Sequence, residues 1–339
     1  MSSKEGKKKK QHYVPQCYLV QWAIPDTNQI NVFDKIKKEE RINNIEDVAQ
    51  ERYFYDINFQ KALSEDEKSL GGFTEEELSE LSNNQYYENF FSDRVECRLA
   101  PLLRKLIFTA ERISSQNKKH TRFVSRWSKV SLSYQLAMQH IRTKATRNAI
   151  LEMADVFQQA LKDMNVPEHT IEAMQVSKDS SKLIHGQMLG NDEEIRKQAE
   201  RFYDFIWILG INKTESKFLT SDRPICSIPH VHNQYISMSG IMSEGVEVFY
   251  PISPNLILIM LDRNYHSNVR KFDRRCVDIL RKDTIEYYNS VCISQSERCV
   301  FSQTNDFSLI DRMLAVNKEA LNKPHISLTW HGKTYTLEN

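Results

Sequence analysis

Four ionisable residues carry the chemistry this sequence could do: His12, Glu96, Arg142 and Asp222. His12 stands in KKKKQHYVPQCYLVQWA (residues 7–23), between a lysine run and an apolar stretch. Pro15 fixes its own φ and holds Val14 extended, so His12 and Tyr13 sit on a rigid lead-in. Adjoining lysines lower the pKa of an imidazole and draw phosphate towards it, which suits a general base or acid. Asp222 closes an apolar strand in FLTSDRP, where Pro224 stops the pairing and polar groups leave the core. A carboxylate there can orient a histidine, hold a metal or accept a proton. Each group also has a structural reading. His12 can cap a turn, and Ser221 with Asp222 can close the strand as an Asx or ST turn.

The region from Arg122 to Met164 reads as one helix. At 100° per residue, Trp127, Val130, Ala137, Met138 and Ile141 gather on one apolar face. Arg126, Lys129, Ser133, His140 and Lys144 gather on an expected solvated face, and Leu132 and Leu136 on a third side. Between the apolar stripes run Ser128, Ser131, Gln135 and Gln139, ending at Arg142. Such a stripe is either the polar wall of a site or a set of helix-to-helix hydrogen bonds, since buried polar groups must be paired. In the first case Arg142 would hold a phosphate in its guanidinium fork and His12 would transfer the proton. Asp222 and Glu96 would orient His12 or hold Mg²⁺. Gln135, Gln139, Ser221, Tyr18 and Lys10 complete the set as substrate contacts. The chemistry expected is phosphodiester cleavage or nucleotide processing, as in a nuclease used as a toxin or antiphage effector, with the lysines recruiting nucleic acid. The rival expectation is a binding, scaffold or ligand-sensing protein in which the same residues are a polar lock between the N-terminal segment and the β region. His230 and His232 would share one face, and one metal, if HVH lay in a strand; Pro229 and Asn233 read as loop.

The elements that must position these groups are legible in outline. QINVFDK and RYFYDI read as strands, TEEELSEL opens with a Thr74 to Glu77 capping box, and Tyr87, Phe91, Val95 and Leu99 form a helical core stripe that Pro101 should break or kink. A further helix is expected from Asp192 to Leu209, then short β-branched strands with ISPN as a hairpin turn, a helix around Asp283 to Gln295, and a last hairpin around Gly332. Strands, helices, then strands imply an α+β fold: a central helical bundle packed on an antiparallel β region formed by N-terminal and C-terminal strands. The expected organisation is a basic flexible tail over 1–11, one large domain over 12–302 and a C-terminal extension over 303–339. Within the domain, 74–210 reads as helical, and 12–60 and 217–302 as β-rich.

The order HYVPQ, ERYFYDI, a glutamate-bearing helix, QHIRT, TSD-P, Pro-x-Ser-Pro and VCISQSERCVFS resembles the family known as domain of unknown function 4238, over roughly 10–302. The resemblance implies that His12, Glu96, Gln139, Arg142, Ser221 and Asp222 form one site, and it supplies no reaction. Cys17 stands where such sequences usually carry a bulky apolar or aromatic residue, and Arg223 occupies a variable position.

Bulk composition limits the remaining classes. The 339 residues carry a net charge of +1, so the molecule as a whole is no generic polyanion binder. Walker A, GxGxxG, HExxH and GxSxG signatures are absent, which weighs against ATPase, dinucleotide, zincin and α/β-hydrolase chemistry. Six scattered cysteines without CxxC spacing imply reduced thiols and a cytoplasmic setting. The longest apolar run, Leu256 to Leu261, is too short to span a bilayer.

Overall fold

Alternation and β-branching build the first strands, and a computed structural model describes the result for residues 7–63, 65–72, 74–83, 85–116, 121–233, 237–322, 326–330 and 333–336. These strands are β1 (Lys10–His12), β2 (Gln29–Asp34), β3 (Glu39–Asn44) and β4 (Gln50–Arg52). β1 pairs antiparallel with β4, so His12 lies opposite Gln50. The tail expected over 1–11 is docked from Lys7 onward: Lys7 Nζ donates to Asn83 at 2.6 Å, and Gln11 is fully buried between Asp56 and the Tyr55 amide. Residues 1–6 lie outside the described residues.

The helical region follows. Thr74 and Glu77 exchange the two bonds of the capping box, Thr74 N to Glu77 at 2.8 Å and Glu77 N to Thr74 at 3.2 Å. The stripe of Phe91, Val95 and Leu99 is buried. Pro101 does not end the helix: Cys97–Ser115 runs through it, preceded by a π-helical turn, Phe91–Glu96, just ahead of the missing N–H. The helix expected from Arg122 to Met164 is two helices, Arg126–Ile141 and Lys144–Asp163. Thr143 ends the first and caps the second by accepting the Thr146 N–H. Its faces also differ from the periodicity. Trp127 and Val130 are exposed, whereas Lys129 and Ser133 are buried. The reason is the Asp192–Asp204 helix, which packs against this face and puts the Lys129 ammonium over the Tyr203 and Trp207 rings, with the Phe205 carbonyl accepting its proton.

That packing helix stops at Asp204, short of the expected Leu209. Phe205 is extended, and IWILGIN forms a strand because its β-branched and aromatic residues pack on both sides of a sheet. The later strands are β5 (Ile206–Asn212), β6 (Thr220–Ser221), β7 (Cys226–Pro229), β8 (Val246–Ser253), β9 (Leu256–Leu261), β10 (Arg275–Ile279) and β11 (Cys299–Ser302). One sheet runs β10-β5-β9-β8-β7, antiparallel except for the β10–β5 pair, and Pro254 and Asn255 make the β8–β9 hairpin turn. The other runs β3-β2-β11-β6 and joins the two ends of the chain. β2 is buried on both faces, with Ile30 and Val32 in the main core and Phe33 against Phe307 and Ile310 of the C-terminal extension. The Lys282–Gln295 helix leads into β11. A terminal hairpin, β12 (Ser327–Trp330) with β13 (Lys333–Thr336), packs Leu328 and Tyr335 on Val156; its turn lies outside the described residues. The fold is α+β, as the element order implies. Among the described residues no helix is long and apolar enough to cross a membrane.

The centre of the larger sheet tolerates no side chain at Gly210, where a Cβ would lie 2.7 Å from Ile279 Cδ1 and 2.8 Å from Ile257 Cγ2. Gly210→Ala is expected to destabilise by about 1–3 kcal/mol in urea unfolding, the range for an overpacked core. A change below about 0.5 kcal/mol would show that these two isoleucines re-pack freely.

Candidate functional site

Arg142, at the C-terminal end of the Arg126–Ile141 helix, is 1% exposed and is spent on the N-terminal segment. Its Nη2 donates to the His12 carbonyl at 2.5 Å and to Glu96 Oε1 at 2.9 Å, and its Nε donates to the Tyr55 hydroxyl at 3.2 Å. The guanidinium lies 4.1 Å from the Phe91 ring centre. Burial opposes its charge, but Tyr55 and Glu96 more than offset this and raise its pKa. His12, Glu96 and Arg142 therefore lie together, joined through the His12 backbone. The imidazole is buried beside the Gln16 amide, 3.4 Å from Nδ1. Burial lowers its pKa to about 4 against the pull of Glu96, while Arg142 and, last, Lys10 push the same way as burial. The lysines are thus a minor cause of that depression. Lys10 itself pairs with Asp47 at the surface.

Asp222 belongs to a different network. Its carboxylate receives three backbone N–H groups, from Glu297 at 2.9 Å, Arg298 at 2.8 Å and Cys299 at 2.9 Å. Burial pushes its pKa up to about 6, although those donors favour the ionised form. Asp222 thus pins the lead-in to β11 and does not orient His12. Glu96 answers Arg142, so the pair expected to hold Mg²⁺ is divided between two networks. Among the described residues no group of three or more His, Cys, Asp or Glu side chains is arranged to hold a metal ion.

The remaining expected contacts have structural partners. Ser221 closes an ST turn, donating to Arg223 O at 2.9 Å and accepting Arg223 N at 3.2 Å. Tyr18 is core: its ring stacks on Tyr250 and its hydroxyl meets Thr220 at 2.6 Å and Pro251 O at 2.7 Å. Gln139 donates to Tyr13 O at 3.1 Å, and the Oε1 atoms of Gln139 and Gln135 are buried with no hydrogen-bond partner among the described residues. Neither histidine of HVH lies in a strand, because β7 ends at Pro229; His230 Nε2 faces Glu247 at 2.9 Å.

What Asp222 does share is a cleft of about 440 Å³ between the N-terminal segment, the start of the Lys144–Asp163 helix and the entry to β11. Tyr13, Arg41, Lys144, Asp222, Glu297 and Arg298 line it. Arg41 and Arg298 both bind one fully buried carboxylate, Asp34, at 2.8 Å and 2.7 Å. These bonds, after the cost of burial, hold Asp34 well below the usual carboxylate range. Lys144 pairs with Glu51 at 2.7 Å, and Asn148 donates to Glu297 at 2.7 Å. Burial, then Asp222, keep the Tyr13 phenol protonated far above neutrality. Burial pushes the Cys299 thiol up to about 12, so it is no thiolate nucleophile. Of these residues only Asp222 is a candidate site residue on sequence grounds, Tyr13 and Lys144 falling on the lead-in and on an expected solvated face. Asp34 and Arg41 carry one available signal, charges at the mouth of the β2–β3 hairpin; Arg298 carries none beyond its place in SERC.

The family model described as "Protein of unknown function (DUF4238)" matches residues 10–306. No curated protein and no solved structure matches the chain.

Two outcomes follow from the buried charges. Arg142→Met leaves Glu96 and the His12 carbonyl without their donor and should cost about 3–5 kcal/mol in urea unfolding; a loss under about 1 kcal/mol would remove Arg142 as a structural tie. Acid should also destabilise the fold. Burial lowers the pKa of His12 and His140 to about 4 and that of His185 to about 3, from 6.5. Each stays neutral in the native state while the unfolded chain takes up a proton, so stability is lost as pH falls from 6.5 towards 4. Asp222 acts oppositely: the native state keeps its proton up to about 6 and the unfolded chain releases it above 3.8. His266, also lowered by burial, joins the three histidines, and Glu88, raised by burial, joins Asp222, so four groups against two leave a net loss. The urea midpoint should drop between about pH 7 and about pH 4.5, less steeply in His12→Asn; an identical slope in that variant would mean that His12 is not buried neutral.

Proposed function

Since the chain belongs to the DUF4238 family, whose description assigns no activity, we propose from the cleft itself that it is a phosphoesterase acting on a nucleotide or nucleic-acid strand. One observation carries this reading: Arg298, bound to Asp34 but with about half its side chain exposed, lines the same cleft as two acid–base groups, Tyr13 and Asp222, while Arg41 is answered by Asp34 and by Glu39 at 3.8 Å. Arg298, with about half its side chain exposed, would grip phosphate oxygens in its fork. Asp222, which loses its proton near pH 6, would take a proton from the attacking water as its oxygen bonds phosphorus. Tyr13 would give its phenolic proton to the leaving oxygen as the P–O bond breaks, and the Asp222 proton would restore it. A cytoplasmic setting accords with six free thiols.

The rival reading applies to His12, Glu96 and Arg142, and a specific observation favours it there. The Nη2 and Nε of Arg142 already hold His12, Glu96 and Tyr55, and the side chain, 1% exposed, offers no accessible fork to a phosphate, although its buried Nη1 has no partner among the described residues. In this proposal the three are a lock that fixes Tyr13 at the wall of the cleft.

Labelled single-stranded RNA, single-stranded DNA, duplex DNA and free nucleotides, each with Mg²⁺, Mn²⁺ or EDTA, test the proposal. Wild-type protein should turn over at least one substrate. Tyr13→Phe should lose about 10²-fold or more in rate while the melting temperature moves by no more than about 2 °C. Turnover by none of the substrates, or full rate in Tyr13→Phe, would defeat the assignment.

A further inference from the structure

A second cavity, of about 280 Å³, opens at the N-terminal end of the Arg126–Ile141 helix. Its acids are committed. Asp273 accepts the Trp207 N–H at 3.0 Å and Arg263 Nη2 at 3.0 Å, and lies 3.6 Å from Lys129 Nζ. Asp204 faces Arg263 at 3.7 Å. Lys129 donates to the Phe205 carbonyl at 2.7 Å. Arg274 also lines this cavity and is different. It is 8% exposed, and among the described residues no hydrogen bond or ion pair reaches its guanidinium. The same lack of a partner holds for Arg126, which lines the cavity, and for Arg122 beside it. Burial and the neighbouring Arg122 depress the Arg274 pKa, with Arg126 adding to the effect against Asp273.

The backbone holds Arg274 there. Its φ of 61° is left-handed, its N–H donates to Trp207 O at 2.6 Å and its carbonyl accepts Phe123 N–H at 3.0 Å. An arginine only 8% exposed, with no acceptor among the described residues and with two like charges beside it, is stabilised when an anion joins it. The first turn of this helix has amides to offer and the positive end of its dipole; the Ser125 hydroxyl caps the Ser128 N–H.

We propose that this cavity is a binding site for a small phosphate-bearing anion, held by Arg274 and Arg126 with the first turn of the helix. Three arginines without an acceptor among the described residues favour a ligand of more than one negative charge, such as a diphosphate, over a simple monoanion. The site shares no lining residue with the cleft, so the inference stands whether or not the phosphoesterase reading does.

Calorimetric titration of the full chain with pyrophosphate, orthophosphate and sulfate, at ionic strength matched with chloride, decides it. Saturable binding is expected, tightest for pyrophosphate, with thermal stabilisation that chloride does not give. Arg274→Gln should weaken binding by about 10-fold or more, the worth of one charged hydrogen bond. Without anion, Arg274→Gln should melt no lower than wild type, because it relieves repulsion. Arg126→Gln, an exposed position, should weaken binding in the same direction and reads the site even if the Arg274 variant folds poorly. Absent saturation, unchanged affinity in both variants, or displacement of pyrophosphate by a single-stranded oligonucleotide would overturn the assignment, the last by making this a nucleic-acid surface.

Discussion

A buried positive charge has to be answered, and the answer to Arg142 organises this molecule. Its guanidinium cannot be deprotonated, lies out of water, and is met by the His12 carbonyl, the Glu96 carboxylate, the Tyr55 hydroxyl and the Phe91 ring. Those partners come from β1, from the segment after β4 and from the π-helical turn, which holds both Phe91 and Glu96. One side chain thereby joins the N-terminal segment to the helical region. Arg147 repeats the device one helix on. It donates to the Phe54 carbonyl at 2.8 Å and to His185 Nδ1 at 2.9 Å, while His185 Nε2–H donates to Ile141 O at 2.8 Å. Phe54 and Tyr55 are thus clamped between two guanidinium groups, which explains why RYFYDI is aromatic without being a full strand.

Two carboxylates do the same for the other end of the chain. Asp222 gathers three successive amides ahead of β11, and Asp34 draws together Arg41 of β3 and Arg298 from that same lead-in. The β3-β2-β11-β6 sheet therefore has its register set by polar contacts at its rim as well as by Ile30, Val32 and Phe33 within it. The cleft is what remains between the two sets of ties, with Tyr13 on one wall and Asp222 on the other.

This division explains what could be read in advance. Capping boxes, strand alternation and the Ser-Pro-Asn hairpin are local, so Thr74 with Glu77, β2 and β8–β9 lie where residue order puts them. Local periodicity fails where a neighbour decides burial. Lys129 and Ser133 read as solvated and are buried by the Asp192–Asp204 helix, and Phe205 to Leu209 read as helix until sheet partners are available. His12, Glu96 and Arg142 were legible as a group only through the family resemblance, since a glutamate on a helix carries no mark of its own. Their roles were not legible, because a carbonyl acceptor leaves no mark in a sequence. Arg298 and Asp34 meet across 264 positions, beyond any local pattern.

The same accounting separates structural charges from those left for a ligand. Where each cationic hydrogen is taken by the protein, as with most of Arg142, another acceptor would have to displace a bond that holds the fold. Where an arginine is nearly inaccessible and has no acceptor among the described residues, as with Arg274, a bound anion would stabilise the charge. Burial alone does not distinguish the two, since Arg142 and Arg274 are both nearly inaccessible. The number of internal acceptors does: Arg142 has three, whereas among the described residues Arg274 has none, which is why the cavity at Arg274 is the one proposed as an anion site.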